Sequence, residues 1–270
     1  MYDLIIIGSG PAGLSAAVYG KRAGLNLLII EEKPMSGGQI LNTYEVDNYL
    51  GLPGISGFDM GMTFRQHAEK LGAEFLEATV HSVEERGDYK CVYAGDRELE
   101  TRTVIFATGA EHAKLGVPGE EELNGMGVSY CATCDGMLYR GKRAAVIGLA
   151  ADAPAEADFL REIGCDVQYY DGKKHRFEIR GAERADTLVV DGAAQPADVI
   201  FVLRAGFAAD TLLPGLATDN GHIVVDDDCA ASIPGVFAAG DCTGAPYQIP
   251  AAVGEGNRAA LSVVRWLRNA

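Results

Sequence analysis

Two groups of residues in this sequence have types and spacing that bear directly on chemistry: the pair in Cys131-Ala132-Thr133-Cys134, and the glycines of Gly8-x-Gly10-x-x-Gly13. Cysteines at this spacing on a helix N-terminus share a lowered thiolate pKa and can close a small disulfide, which reads as a redox dithiol. The alternative is half of a zinc site. That would want a second ligand pair, and the other four cysteines, Cys91, Cys165, Cys229 and Cys242, are scattered. Asp135 directly follows the second cysteine, placed either to move a proton as thiolates form and break or to sit as an acid favoured by the helix dipole. The glycines permit a tight turn and close backbone approach, so a dinucleotide pyrophosphate can rest on a helix N-terminus.

The elements that must position these residues follow from the hydrophobic pattern. Tyr2 to Ile7 is a β-branched apolar run, the glycines follow, and an Ala-rich stretch to about Ala23 is predicted as a helix. Asn26 to Ile30 resumes as a buried strand ending at Glu31, about twenty residues after the glycines, where a dinucleotide fold places its ribose-binding acid. Phe58 to Leu71 has helical spacing, Glu74 to Thr101 reads as a strand meander turning at Gly87-Asp88, and Thr103 to Phe106 is a further buried strand. A second strand, turn and helix unit spans Arg143 to Ile163, with a returning strand at Asp166 to Tyr170. Strands are expected at Thr187 to Val190, Asp198 to Leu203, His222 to Val225 and Val236 to Ala238, before a closing helix from Ile249 to about Leu267.

Composition excludes several classes. The 270 residues favour two modest domains, and 48% hydrophobic with 23% charged residues suits packed cores and excludes disorder as the main state. A net charge of −15 repels phosphate backbones and anionic lipid, so nucleic acid is not an expected partner. The stretch Arg140 to Arg184 differs, with nine basic and eight acidic residues. No apolar run approaches the roughly 18 to 20 residues that span a bilayer, and the chain opens on a strand instead of a signal peptide; no membrane association and a cytoplasmic location are expected. The 34 glycines, about 13% against a usual 7%, call for tight backbone turns.

The segment Ser129-Tyr130-Cys131-Ala132-Thr133-Cys134-Asp135-Gly136 resembles the active-site stretch of low-molecular-weight thioredoxin reductases, and the likeness extends over nearly the whole chain. The resemblance implies an α/β, two-domain, FAD/NAD(P)-binding Rossmann-like (three-layer) flavoprotein disulfide reductase fold. Residues 1–113 and 207–270 would form a discontinuous FAD-binding domain, and 114–206 an inserted CxxC redox domain that swings between flavin and thioredoxin. Gly8, Gly10, Gly13 and Glu31 resemble the clamp on the ADP half of FAD, and Gly37-Gly38-Gln39 with Asn48 the segment around the flavin. Val80 joins the cofactor set, and Ala107-Thr108-Gly109 resembles a second flavin contact. Gly240-Asp241 matches the turn whose Asp holds the ribityl chain, with Gln248, Ile249, Ala252 and Gly256 near the ring. The resemblance further implies that Cys134 is the sulfur nearest the flavin, that Cys131 attacks the substrate disulfide while Asp135 handles the proton, and that the protein is a homodimer binding no metal.

The sequence departs from that family where NADPH binds. The second turn reads Gly148-Leu149-Ala150-Ala151-Asp152-Ala153, with Ala150 at the position that must be glycine for pyrophosphate to approach. Pro154 just inside the helix is tolerable. Asp171, in Tyr169-Tyr170-Asp171-Gly172, stands where the family carries arginines for the 2′-phosphate, and the inserted domain is short after it. These losses resemble the ferredoxin-dependent flavin thioredoxin reductases. The expectation is a flavin-dependent disulfide reductase fed by ferredoxin, with NADPH-dependent thioredoxin reduction as the alternative and a flavin-bound redox sensor as a non-enzymatic one. The basic residues Lys173, Lys174, Arg176, Arg180 and Arg184, with Arg140, Lys142 and Arg143, are expected either to meet an acidic ferredoxin or to form a solvated basic face.

Overall fold

The continuous apolar runs read from the sequence become the parallel central strands of two sheets, each buried on both faces. The computed structural model describes residues 1–109, 115–150, 153–203 and 212–269. It divides into two compact units, Met1–Ala110 with Ala208–Ala270, and Glu111–Phe207. The expected domain boundaries at 113/114 and 206/207 lie outside the described residues.

In the first unit β1 (Tyr2–Ile7), α1 (Pro11–Arg22) and β2 (Leu27–Glu31) form the βαβ unit that the glycine motif requires. There follow α2 (Gly57–Lys70), β3 (Glu74–Glu77), β4 (Val80–Arg86), β5 (Tyr89–Ala94) and β6 (Arg97–Phe106). Ser56 starts α2 by accepting the Asp59 N–H at 3.0 Å, while Asp59 favours the positive end of the helix dipole. The sheet runs β3-β2-β1-β6-β5-β4. Two details differ from the sequence reading. Glu74 to Glu77 pairs in parallel with β2 and is no part of the meander. The expected strands ending at Thr101 and beginning at Thr103 are one ten-residue strand, β6, whose first half pairs antiparallel with β5 and whose second half pairs in parallel with β1.

Alternate residues of the sheet feed two cores. Leu4, Ile6, Leu27, Ile29 and Ile105 pack with buried residues of α1 and α2, and Ile5, Ile7, Leu28, Ile30, Val104 and Phe106 pack with Val83 and Val92 of the meander. This gives the three layers.

The second unit contains β7 (Val128–Ser129), α3 (Ala132–Asp135), β8 (Arg143–Gly148), α4 (Ala153–Glu162), β9 (Asp166–Asp171), β10 (Phe177–Gly181), β11 (Ala185–Val190), β12 (Ala193–Pro196) and β13 (Val199–Leu203). A parallel sheet of order β7-β13-β8-β9 is covered on one face by α3 and α4 and on the other by the antiparallel sheet β10-β11-β12. The sequence reading missed β10 and β12: both are short, and Arg180 and Gln195 interrupt the apolar signal. Five residues join β9 to β10.

The chain then returns to the first unit through β14 (Thr218–Asp219), β15 (His222–Ile223), β16 (Val236–Ala238) and α5 (Ile249–Asn269). β16 pairs in parallel with the second half of β6, on the edge opposite β1. The expected strand His222 to Val225 shortens to His222–Ile223; beyond it Val224 N–H bonds the Ala217 carbonyl in the same register and Val225 forms a bridge with Ala231. Among the described residues no helix is long and apolar enough to cross a membrane.

Candidate active site

In the first unit the expected cofactor residues gather where strands β1, β2, β6 and β16 end, the position at which doubly wound sheets bind ligands. Three of the glycines are demanded by packing. A Cβ on Gly8 would collide with the Ala107 carbonyl, one on Gly13 with the Gly8 carbonyl, and one on Gly256 with the Ala12 carbonyl. Gly10 is different. Its φ of −71° suits any residue, and a Cβ there would meet nothing nearer than the Gly37 carbonyl oxygen at 4.0 Å. Neither backbone nor packing explains glycine at this position, whereas a pyrophosphate brought against the backbone at the start of α1 does. The cradle fits a dinucleotide.

Around it the residues support one another. Glu31 Oε2 accepts the Ser9 N–H at 2.8 Å and the Ser9 hydroxyl at 2.7 Å, which orients the carboxylate at the end of β2. Ser9 and Ser36, both buried, extend this network to Arg65, and sequence reasoning missed them because Ser9 occupies a variable position of the glycine motif. Gly37 N–H bonds the Ser9 carbonyl at 2.9 Å, bringing the Gly38-Gln39 turn beside Gly10. Ala78 N–H bonds the Glu31 carbonyl, which places the segment leading to Val80 next to that acid. Asn48 Nδ2 donates 3.3 Å to Gln248 Oε1, so two residues singled out 200 positions apart meet. Ala107 N–H bonds the Ile7 carbonyl, and Thr108 and Gly109 follow at the end of β6. Ile249 opens α5 and packs near Ile40 and Met60, and Ala252 is buried one turn on.

Asp241 follows buried Gly240 after β16. Its side chain makes no hydrogen bond among the described residues, and burial, with the nearby Glu255 carboxylate, pushes its pKa up to about 6. Because the folded carboxyl keeps its proton to higher pH than the unfolded one, this contribution to stability is full below about pH 4 and is lost as pH rises through about 6. Apoprotein Asp241→Asn should therefore match the parent at pH 4 and exceed it by up to about 3 kcal/mol at pH 7. Urea melts at both values test this, and a pH-independent difference would contradict it. Cys242, next in sequence, is fully inside; burial raises its thiol pKa to about 11, so it is an inert core residue.

In the second unit Cys131 directly precedes α3, is half-buried, and is disulfide-bonded. Cys134 lies within α3, and its side chain falls outside the described residues. The Thr133 hydroxyl lies 3.4 Å from the Cys131 sulfur. Ser129 anchors the segment: its hydroxyl donates 2.7 Å to Asp135 Oδ2 and accepts the Cys131 N–H at 3.2 Å. Burial holds the Asp135 carboxyl above the usual range, and the Ser129 bond only partly offsets this, so it is suited to retain a proton one residue after Cys134. Glu156 of α4, unremarked in the sequence, accepts the Ala132 N–H at 3.3 Å. Glu120, almost wholly buried, accepts the Tyr130 hydroxyl and the Leu115 and Gly116 N–H groups. Among the described residues no group of three or more His, Cys, Asp or Glu side chains gathers to hold a metal.

The second glycine turn contrasts with the first; its Ala151 and Asp152 lie outside the described residues. A Cβ on Gly148 would collide with the Tyr169 hydroxyl and stand 2.6 Å from two of its ring carbons. A Cβ on Gly172 would lie 2.5 Å from Leu149 Cγ. Tyr169 and Leu149 therefore pack on the two glycines where β8 and β9 end. The Leu149 and Ala150 N–H groups both donate to the Leu203 carbonyl, at 2.8 and 3.1 Å. Asp171 accepts Lys174 Nζ at 2.9 Å and the Lys173 N–H at 3.0 Å, interactions that hold its carboxylate below the usual range.

The basic stretch does not form one patch. Lys173, Lys174 and Arg176 follow β9 at one end of the parallel sheet, and Arg140 and Lys142 precede β8, which Arg143 opens, at the other. Arg143 grips Asp198 through two nitrogens at 3.1 Å, holding its pKa at about 2, and Arg180 pairs with Glu178.

Residues 2–177 and 172–256 match the pyridine nucleotide-disulphide oxidoreductase family. The thioredoxin reductase of Bacillus subtilis (strain 168) is 35% identical over 303 aligned positions, covering 99% of this chain and 95% of that protein. The crystal structure of thioredoxin reductase from Streptococcus pyogenes MGAS5005 matches with a TM-score of 0.90 at 33% identity, covering 100% of this chain and 99% of that one. A ferredoxin-flavin thioredoxin reductase from Clostridium acetobutylicum matches with a TM-score of 0.63 at 34% identity, covering 99% and 98%. Together with the cradle and the cysteine segment, these likenesses place the chain in the pyridine nucleotide-disulphide oxidoreductase family. It is an FAD-binding flavoprotein oxidoreductase with the thioredoxin reductase architecture.

The cradle yields a paired prediction. Gly13→Ala should destabilise the apoprotein by about 1–3 kcal/mol through its collision with Gly8. Gly10→Ala, facing open space, should cost less than about 1 kcal/mol of stability yet weaken FAD binding tenfold or more, about 1.4 kcal/mol. Melting of apoprotein and FAD titration separate the two; unchanged FAD affinity in Gly10→Ala would contradict the pyrophosphate assignment.

Proposed function

We propose that this protein is an FAD-dependent disulfide reductase that reduces thioredoxin or a thioredoxin-like protein through a Cys131-Cys134 dithiol, with ferredoxin and not NADPH as the electron donor. FAD, when bound, supplies a carrier that gathers two electrons for the disulfide. Gly8, Gly10, Gly13 and Glu31 would hold its ADP half; Gly38, Gln39, Asn48, Val80, Ala107, Thr108, Gly109, Gly240, Asp241, Gln248, Ile249 and Ala252 would hold the remainder. The Cys131 thiolate attacks the substrate disulfide, forming a mixed disulfide and releasing one substrate thiolate. Cys134 then attacks Cys131, releasing the second substrate sulfur and closing the Cys131-Cys134 disulfide, with Asp135 supplying a proton to a departing sulfur. Two electrons and two protons reopen the pair for another cycle. A homodimeric, cytoplasmic protein is part of the same proposal.

The observation that carries the donor assignment is the filled second turn, where Tyr169 and Leu149 cover the two glycines and Leu203 takes the turn's amides. Ala150 stands at the position of Gly10 and presents a Cβ where a pyrophosphate would approach the backbone. The likeness to the Clostridium acetobutylicum ferredoxin-flavin enzyme supports this reading, and the likeness to Bacillus subtilis thioredoxin reductase supports the NADPH alternative. Anaerobic reduction of the bound flavin by NADPH, NADH and reduced ferredoxin in parallel decides between them.

A further inference from the structure

Glu255 lies in the first turns of α5, outside the residues assigned to the cofactor, and its carboxylate reaches out of the helix to the backbone of the Gly240 turn. The Gly240 N–H donates 2.7 Å to Glu255 Oε2, its only partner among the described residues. The Thr243 hydroxyl, which donates to the Gly240 carbonyl at 2.9 Å, stands 3.4 Å from the same carboxylate oxygen. Gly240 is buried and left-handed at φ +82°, so an N–H stripped of this acceptor would be left unpaired in a turn that no other bond of that amide secures.

The same stretch of α5 is fastened to the helix at the pyrophosphate seat. The Ser15 hydroxyl of α1 donates 2.7 Å to the Val253 carbonyl, Gly256 packs against the Ala12 carbonyl, and a Cβ on Gly240 would lie 2.9 Å from Ala12 Cβ. Ala12 is the second residue of α1, so residues 253–256, the start of α1 and the turn before Asp241 form one cluster.

We propose that Glu255 is a positioning residue for the cofactor: it locks the Gly240–Thr243 turn to α5 and α1, and its charge sets the electrostatic field in which the cofactor is reduced. The proposal rests on the FAD assignment above. A glutamine at this position would supply the same acceptor to Gly240. What a glutamate adds is a negative charge beside Asp241, which raises the proton affinity of that carboxyl and opposes additional negative charge on a neighbouring cofactor.

The test uses the full chain loaded with FAD, as Glu255→Gln and Glu255→Ala. Glu255→Gln keeps an acceptor for Gly240 and should bind FAD within about twofold of the parent, while its flavin midpoint potential moves to a more positive value. Glu255→Ala loses the acceptor and should bind FAD at least about tenfold more weakly. Parental FAD affinity in Glu255→Ala, or an unchanged potential in Glu255→Gln, would overturn the proposal. If Glu255→Ala does not fold, the potential of Glu255→Gln decides alone. Failure of the parent protein to take up FAD would instead remove the cofactor reading itself, a result visible before either variant is made.

Discussion

Cys131→Ser and Cys134→Ser are each expected to lower thioredoxin reduction by at least about 10³-fold while leaving FAD bound. The size follows from the relay: a serine hydroxyl neither forms the disulfide nor reaches a usable anion near neutral pH, so losing either sulfur interrupts every turnover. Retention of FAD follows from the division of the chain, since all the cradle residues belong to the unit of Met1–Ala110 and Ala208–Ala270 while both cysteines belong to the other. The two variants should also differ from each other. In Cys134→Ser the remaining Cys131 thiol can still attack a substrate disulfide, but nothing resolves the product, so a covalent 1:1 adduct with thioredoxin should accumulate and dissolve on adding dithiothreitol. Cys131→Ser should form much less. Absorbance of the bound flavin, a thioredoxin-coupled assay and intact-mass spectrometry read the three quantities. Full turnover by either variant would sink the dithiol mechanism, and an adduct confined to Cys131→Ser would exchange the roles of the two sulfurs.

The features legible in the sequence are those carried by local pattern. The βαβ unit was visible because strand, glycine turn, helix and Glu31 all fall within about thirty residues, and each constrains the next. Asn48 and Gln248 were singled out separately, but only folding could bring them within 3.3 Å, since nothing local in either segment refers to the other. The missed contributors share a different property. Ser9, Ser36 and Glu255 act through hydrogen bonds to backbone or to one another, and such partners leave no periodicity in the chain. Glu255 sits between two glycines, so the small-residue packing of α5 against α1 masks the one side chain there that carries charge. Likewise the basic stretch looks continuous in sequence because β8, α4 and β9 are consecutive, yet passage through a parallel strand separates its two halves by the length of the sheet.

NADPH is expected to reduce the bound flavin at least about 10²-fold more slowly than reduced ferredoxin under anaerobic conditions, a barrier difference of roughly 2.7 kcal/mol or more. The physical basis is a comparison of two turns in one chain. At Gly10 the backbone is bare and the space above it open, whereas Ala150 puts a Cβ at the equivalent position; Tyr169 packs on Gly148, the counterpart of Gly8, and Leu149 fills the space over Gly172. To admit a pyrophosphate, the second turn would have to accommodate the Ala150 Cβ, and its Leu149 and Ala150 amides are already bonded to the Leu203 carbonyl. Asp171, ionised and tied to Lys174, then sets a negative charge where a 2′-phosphate would arrive. Binding can be tested apart from electron transfer. A ligand at a hundred times its dissociation constant stabilises a fold by about 2.7 kcal/mol, so millimolar NADPH should leave the melting temperature unchanged if the crevice is closed. Ferredoxin delivers one electron at a time, which predicts that two equivalents are consumed per thioredoxin disulfide opened, with two protons taken up. Rapid, saturable bleaching by NADPH accompanied by a thermal shift would show that the second turn accommodates a pyrophosphate despite Ala150, and would return the protein to the nicotinamide-dependent class.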